Sequence, residues 1–401
     1  MGKNIFFSAF LLFFMPLFSA FAQQSIWGGP QSLVSPQIND DKTVTFRLFA
    51  PDAYSVQVTG DCIPEKSFFS PDGDEYKARI AEMVDDEPGV WEYTLPEPLE
   101  SELYSYNFIV DGVKITDPSN VYMIRDVASV FSVFIVDGGQ GDLYRVNDVP
   151  HGTVSRMWYD SPALGMERRI TVYTPAGYED GSRKYPVLYL LHGMGGDEEA
   201  WISLGRTAQI LDNLIAQGKA EPMIVVMPNG NAYQEAAPGE SSEGMLPPVL
   251  DRPRSMEGSY ETSFPDIVKF VDSHFRTVRK KSARAVAGLS MGGFHSLHIS
   301  CHYPDMFDYV GLFSAAIYHR EGLDTPVYDN VEGQIAEQFS KGVSLYYIAI
   351  GDEDFLYEDN VEYRAFLDSH GYPYEYHESS EGHIWKNWRI YLSDFVPRLF
   401  K

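Results

Sequence analysis

Hydrophobic and polar positions follow two different rhythms along the chain, and the rhythm changes near residue 145. In the first part, Val44, Phe46 and Leu48 alternate with Thr45 and Arg47. Tyr54, Val56 and Val58 alternate with Ser55 and Gln57, and Trp91, Tyr93 and Leu95 repeat the pattern. Period-two alternation puts every second side chain on one face, which predicts half-buried strands. Asp111-Gly112, between Tyr104–Val110 and Val113–Thr116, predicts a type I′ hairpin, because those two residue types tolerate the positive φ that the turn requires. Short strands with frequent turn signals predict a β-sandwich of about a hundred residues.

From about His151 the apolar runs become short and continuous. Pro186–Leu191, Met223–Met227, Ala285–Ala287, Tyr309–Phe313 and Leu345–Ile350 suit strands covered on both faces, as in a parallel sheet. Ala208–Ala216 and Asp266–Phe275 between them read as amphipathic helices. That alternation predicts a three-layer α/β domain. The division is residues 23–142 for the sandwich and 143–401 for the α/β domain, with the glycine-bearing stretch Gly138–Pro150 as a linker.

The first residues change the picture of location. Lys3 precedes the apolar run Ile5–Phe18, and Ala20-Phe21-Ala22 is a small-x-small cleavage pattern. These predict a cleaved signal peptide over residues 1–22 and a secreted or periplasmic protein. The run is too short to span a membrane, and no cysteine stands at the cleavage point to carry a lipid, so no membrane anchor is expected. The two cysteines, Cys62 and Cys301, fall in different domains and are expected as buried thiols. With 57 acidic against 31 basic residues, the formal charge of −26 disfavours a nucleic-acid partner.

Candidate chemistry lies in four places. Gly288-Leu289-Ser290-Met291-Gly292 follows a strand-like run and opens a helix-like one. A nucleophile that must stand free of a sheet needs such a sharp turn, with small residues two positions either side. His192-Gly193-Met194-Gly195-Gly196 closes another strand, and a backbone N–H from Met194 or Gly193 could join that of Met291 as an oxyanion hole. His383, after the strand-like Tyr374–His377, is the candidate base, and His377, inside that run, is a poorer one. Among Asp352, Glu353 and Asp354, which follow Leu345–Ile350, Asp354 is favoured as the acid, because Phe355 and Leu356 could bury it. The order Ser290, Asp354, His383 is that of α/β-hydrolases. His295, His298 and His302 share a helical face, but no H-E-x-x-H pattern accompanies them, so they read as packing or surface residues rather than metal ligands. Trp201, Phe355 and Trp385 are candidate substrate contacts, with core packing as the competing role.

On these motifs residues 151–401 resemble the esterase D-like group that contains carbohydrate esterase family 1, the feruloyl and acetyl xylan esterases. The resemblance rests on Tyr189-Leu190-Leu191-His192-Gly193 through Gly196, Glu199 and Trp201, Pro228-Asn229-Gly230-Asn231, Gly288 to Gly293, Gly351-x-x-Asp354 and Gly382-His383-x-Trp385. It implies an α/β-hydrolase fold with Ser290 as nucleophile, Asp354 as acid and His383 as base, and no metal or organic cofactor. It also implies plant cell-wall substrates: a polysaccharide ester or a small feruloylated oligosaccharide, with a feruloyl group first and an acetyl group on xylan as the alternative. Val44–Pro51 and Tyr104–Pro118 resemble an early-set, immunoglobulin-like sandwich akin to a carbohydrate module. There Trp27 and Trp91 could form a glycan platform, although Trp91's alternation with Tyr93 and Leu95 fits a core face. A siderophore esterase of the enterochelin type and a non-catalytic carbohydrate-binding protein are the competing expectations.

Overall fold

The computed structural model describes residues 33–401 apart from Pro71, Met245, Leu246, Pro248 and Asp251. The expected signal peptide and Trp27 lie outside the described residues. Ahead of the α/β region stands a sandwich of two antiparallel sheets. One holds four strands, Gln37–Ile38, Val44–Phe49, Val90–Thr94 and Val84–Glu87. In the other, Leu103–Val110 pairs with Val56–Gly60 on one side and with Ser129–Ile135 on the other, and the latter pairs with Met123–Asp126. The alternating positions do what their spacing requires: Val44, Phe46 and Leu48 meet Val56, Val58, Tyr106 and Phe108 in one core. Asp111 and Gly112 make the expected turn, with φ of 48° and 84°. Trp91 packs against the sandwich core and its indole N–H donates to the Ala50 carbonyl at 3.0 Å, so it is a structural residue rather than a platform.

The α/β region is built on an eight-stranded sheet. Its strands are β1 (Thr153–Ser161), β2 (Met166–Thr174), β3 (Val187–Leu191), β4 (Ile224–Pro228), β5 (Arg284–Leu289), β6 (Tyr309–Phe313), β7 (Leu345–Gly351) and β8 (Glu375–Ser379). They lie in the order β1-β2-β4-β3-β5-β6-β7-β8, antiparallel at β1–β2 and β2–β4 and parallel from β4 to β8. The helices are α1 (Ala200–Ser203), α2 (Thr207–Ala216), α3 (Ser259–His274), α4 (Met291–His302), α5 (Val331–Ser340), α6 (Tyr357–His370) and α7 (Trp385–Phe395). Both faces of the sheet are covered. Leu188 and Leu190 of β3 point to a cluster with Leu211 of α2 and Leu392 of α7, while Val187, Tyr189 and Leu191 point to one with Phe264 of α3 and Leu297 of α4. This is the three-layer α/β-hydrolase architecture behind an all-β domain.

The two parts are closely joined. The stretch expected as a linker is packed: Tyr144 is fully buried, and Asn213 of α2 donates to the Leu143 and Arg145 carbonyls, both at 3.0 Å. Leu103, Ile124 and Val133 of the sandwich share a hydrophobic cluster with Leu211 and Trp388. Glu102 pairs with Arg389 of α7 at 2.9 Å, with side chains 2% and 3% exposed. Burial pushes the Glu102 carboxyl above its usual range, and the guanidinium offsets only part of that. Such a pair adds little beyond what an apolar pair would, yet breaking it strands a charge. Arg389→Met should therefore lower the unfolding free energy by about 3–5 kcal/mol in urea titrations. A Glu102→Gln/Arg389→Met double variant should recover part of the loss; a single variant as stable as the wild type would contradict this.

Candidate active site

The site forms where β3, β5, β7 and β8 end on the same edge of the sheet. At the end of β5, Ser290 adopts φ 53° and ψ −116°, a conformation costly for any residue with a Cβ. Backbone contacts enforce it. The Ser290 N–H donates to the Phe313 carbonyl at 2.9 Å, and its carbonyl accepts from Phe294 at 3.0 Å and Ala316 at 3.2 Å. Gly288 and Gly292 face each other across this turn and lie against the Leu191 carbonyl, so a Cβ on either would collide with backbone. That is the physical reason for small residues two positions either side of the serine. Met291 is the first residue of α4, so its N–H has no intrahelical partner to satisfy.

The loops after β7 and β8 bring Asp354 and His383 together. A Cβ on Gly351 would meet the Glu381 carbonyl, and the Glu353 N–H donates to that same carbonyl at 3.2 Å. Asn387 of α7 donates to the Ser380 and Gly382 carbonyls, each at 3.0 Å, fixing the histidine loop. His383 Nδ1 lies 2.8 and 3.0 Å from the two carboxylate oxygens of Asp354. Burial works to raise the Asp354 carboxyl, but hydrogen bonds from His383 and from the Leu356 N–H outweigh it and hold the group below its ordinary value. Asp354 is buried, whereas Asp352 and Glu353 are exposed. The imidazole sits between Phe355 and Trp388, with ring centroids 4.6 and 4.9 Å away. With Nδ1 held by the carboxylate, Nε2 is left to exchange a proton with a neighbour.

Ser290 and His383 line one cavity of about 830 Å³. Among the described residues no hydrogen bond joins the hydroxyl to the imidazole. Gly193 abuts the serine: a Cβ built there would stand 3.2 Å from Ser290 Cβ. The whole loop 192–199 is bracketed by residues 229–231. The Gly230 N–H donates to His192 Nε2 at 2.7 Å, Asn229 donates to Glu198 at 2.9 Å, and Asn231 donates to the Gly196 carbonyl at 2.8 Å. His192 Nδ1 in turn reaches the Gly193 carbonyl at 2.7 Å. Burial lowers His192 to about 4, which keeps it neutral, donating at Nδ1 and accepting at Nε2. The arrangement can direct backbone N–H groups of Gly193 or Met194 and of Met291 toward a charge developing beside Ser290.

One expected contact is corrected. Trp201 is 1% exposed and does not line the cavity. Its indole N–H donates to the Leu191 carbonyl at 2.8 Å, and its ring meets Phe313 and Trp385 edge-on, so it is a pillar under β3. Phe355, 76% exposed, and Trp385 do line the cavity, as does Met194. His295 and His298 are buried on α4, and His295 Nδ1 bonds Glu261 at 2.7 Å. Among the described residues no group of three or more His, Cys, Asp or Glu side chains could hold a metal ion. No helix among them is long and apolar enough to cross a membrane.

The sequence pattern missed two walls of the cavity. Arg156 and Arg169, from β1 and β2, bring a polar wall with Glu199 and Glu240, in which Arg156 holds Glu199 through two bonds of 2.6 and 2.7 Å. Arg125, Asp126 and Val127 come from the sandwich. No motif marks them, because they reach the site only through the packing of the two domains.

Residues 161–399 match the family described as "Putative esterase", and residues 34–124 match carbohydrate-binding module 48, the isoamylase N-terminal domain. The chain is 29% identical over 380 residues to an endo-1,4-beta-xylanase/feruloyl esterase of Xylanibacter ruminicola, an overlap of 91% of this chain and 46% of that protein. It thus spans about half the length of that relative. A solved ferulic acid esterase aligns at 28% identity with a TM-score of 0.51, covering 62% of this chain and 97% of that one. The enterobactin esterase of Shigella flexneri aligns over 90% of this chain and 94% of its own, with a TM-score of 0.62 at 17% identity, a likeness of fold alone.

Proposed function

The chain belongs to the Esterase family, and from that premise we propose that it is a serine carboxylic-ester hydrolase that removes feruloyl groups from arabinoxylan or its oligosaccharides. The observation that carries the reading is a cavity lined together by Ser290, His383 and two aromatic side chains, Phe355 and Trp385. At about 830 Å³ it is far larger than an acetyl group needs. Its aromatic side suits a planar aryl acid, and the Arg156, Glu199 and Glu240 side offers the charged partners that sugar hydroxyls take. The relative from Xylanibacter ruminicola, whose name joins xylanase to feruloyl esterase, supports the same substrate class. Residues 1–22 would export the enzyme to where such polymers lie.

The chemistry is acyl transfer in two steps. His383 Nε2 takes the Ser290 proton as Oγ attacks the ester carbonyl, and Asp354 stabilises the imidazolium through Nδ1. The carbonyl oxygen becomes an oxyanion held by the Met291 N–H and that of Met194 or Gly193. The tetrahedral intermediate collapses, the sugar alcohol leaves with the proton from His383, and the acyl group stays on Ser290. Water, deprotonated by His383, then repeats the attack and releases the free acid.

A panel of methyl ferulate, feruloylated arabinoxylan oligosaccharides, acetylated xylan and enterobactin tests the substrate. The expected result is the highest kcat/KM on the feruloyl esters. Preference for acetylated xylan or for enterobactin would overturn the acyl assignment and leave the hydrolase reading standing.

A further inference from the structure

Loop 192–199 is tied to the hydrolase domain through residues 229–231 and, at its far end, through Arg156 on Glu199 and the Ala237 N–H on Glu198. Its other side is held from the neighbouring domain. The sandwich strands Met123–Asp126 and Ser129–Ile135 are joined by a two-residue turn, Val127-Ala128, at the rim of the cavity. From this hairpin Arg125 Nη2 reaches Asp197 Oδ2 at 2.5 Å. Asp197 is 2% exposed, and its other oxygen accepts the Glu199 N–H at 3.0 Å, so the pair clamps the loop's own backbone. A second nitrogen of Arg125 donates to the Val127 carbonyl at 3.1 Å and fixes the turn itself. There Val127 sits at φ 48°, a region that β-branched residues rarely enter. Its methyls press on Gly195: a Cβ built there would lie 2.8 and 3.0 Å from them. Strain of this kind persists where surrounding contacts over-determine it, and here the contacts lie on the loop beside the nucleophile.

We propose that Arg125, although it belongs to the sandwich, is a positioning residue for ester hydrolysis: through Asp197 it sets the loop whose Gly193 or Met194 N–H meets the oxyanion. The sandwich is then part of the catalytic unit, whether or not it binds glycan. The inference rests on the acyl-transfer reading above. A misplaced oxyanion donor costs transition-state stabilisation rather than substrate affinity, so the loss belongs in kcat.

The test uses the full chain with methyl ferulate. Arg125→Gln and Asp197→Asn should each lower kcat by about tenfold or more while KM moves less than about threefold. Arg125→Lys, which keeps the charge, should recover part of the loss. The Arg125→Gln/Asp197→Asn double variant should lose no more than the worse single variant, because both remove one contact. Melting temperatures report folding, and if Arg125→Gln proves unstable, Arg125→Lys and Asp197→Asn carry the same comparison. Inactivation by a fluorophosphonate, whose oxygen occupies the same hole, should slow in parallel with kcat. A kcat within about twofold of wild type in a folded variant would overturn the proposal, as would a loss confined to KM or losses that multiply in the double variant. If the wild type hydrolyses no ester, the proposal falls with the reading beneath it; an active wild type with a normal Arg125→Gln sinks this proposal alone.

Discussion

Asp354→Asn should lower kcat on methyl ferulate by about 10⁴-fold with the melting temperature little changed, whereas Asp352→Asn should leave both as in the wild type. The difference follows from burial and hydrogen bonding. Asp354 is buried, accepts the Leu356 N–H at 2.9 Å, and holds both oxygens within 3.0 Å of His383 Nδ1. An asparagine keeps that shape but puts an NH₂ where an oxygen received the imidazole proton. The ring then carries its proton on Nε2 and accepts at Nδ1, so the nitrogen nearest the nucleophile has no lone pair to offer. Asp352 is exposed, and its backbone N–H bond to Ser379, 2.9 Å long, survives the substitution. Steady-state kinetics on the two variants settle the matter. A dead Asp352→Asn beside an active Asp354→Asn would move the acid to the other side of the loop.

The parts of the fold legible in the sequence are those where one physical demand dominates. Tyr309–Phe313 is a strand end to end, because a central parallel strand is covered on both faces and admits only apolar side chains. The β1–β2 hairpin is not marked by any such run, and the reason is visible at Arg168. This residue is fully buried on β2, where Nη2 donates to the Asn229 and Asn231 carbonyls at 2.6 and 2.9 Å. A charged residue that finds carbonyl partners only after folding breaks the apolar signal of a strand. Helix α3 begins at Ser259, earlier than the expected Asp266, and holds Pro265 in its interior, where core packing of Tyr260 and Phe264 keeps the segment before the proline helical.

The site divides in the same way. Ser290, Asp354 and His383 stand on loops at strand ends whose glycines and small residues answer to close backbone contacts, and such contacts leave local marks. Trp201 misled because an aromatic ring beside a glycine-rich loop has the same sequence appearance whether it faces a ligand or supports a strand from below. Arg125, Asp126 and Val127 left no mark, since a hairpin in one domain becomes a cavity wall in another only through the contacts around Leu103, Ile124 and Val133. Pattern reports what a residue needs from its neighbours in sequence, and these needs are met elsewhere.

Ser290→Ala carries the largest expected effect. The hydroxyl has no hydrogen-bond partner among the described residues, and the turn is held by backbone bonds to Phe313, Phe294 and Ala316. Alanine keeps those bonds and the same Cβ, so folding and substrate binding persist. On the proposed mechanism the substitution removes the nucleophile, and with it the acyl-enzyme path. Turnover should fall by about 10⁶-fold, to what the oxyanion donors and binding provide alone. His383→Ala should fall nearly as far, because a nucleophile and its base act as one unit.

Covalent labelling by a fluorophosphonate, read by intact mass and peptide mapping, probes the Ser290 hydroxyl itself. A single adduct on Ser290 is expected, lost in Ser290→Ala and formed far more slowly in His383→Ala. An adduct on another residue, or a Ser290→Ala protein that still takes the label and turns over ester, would contradict it.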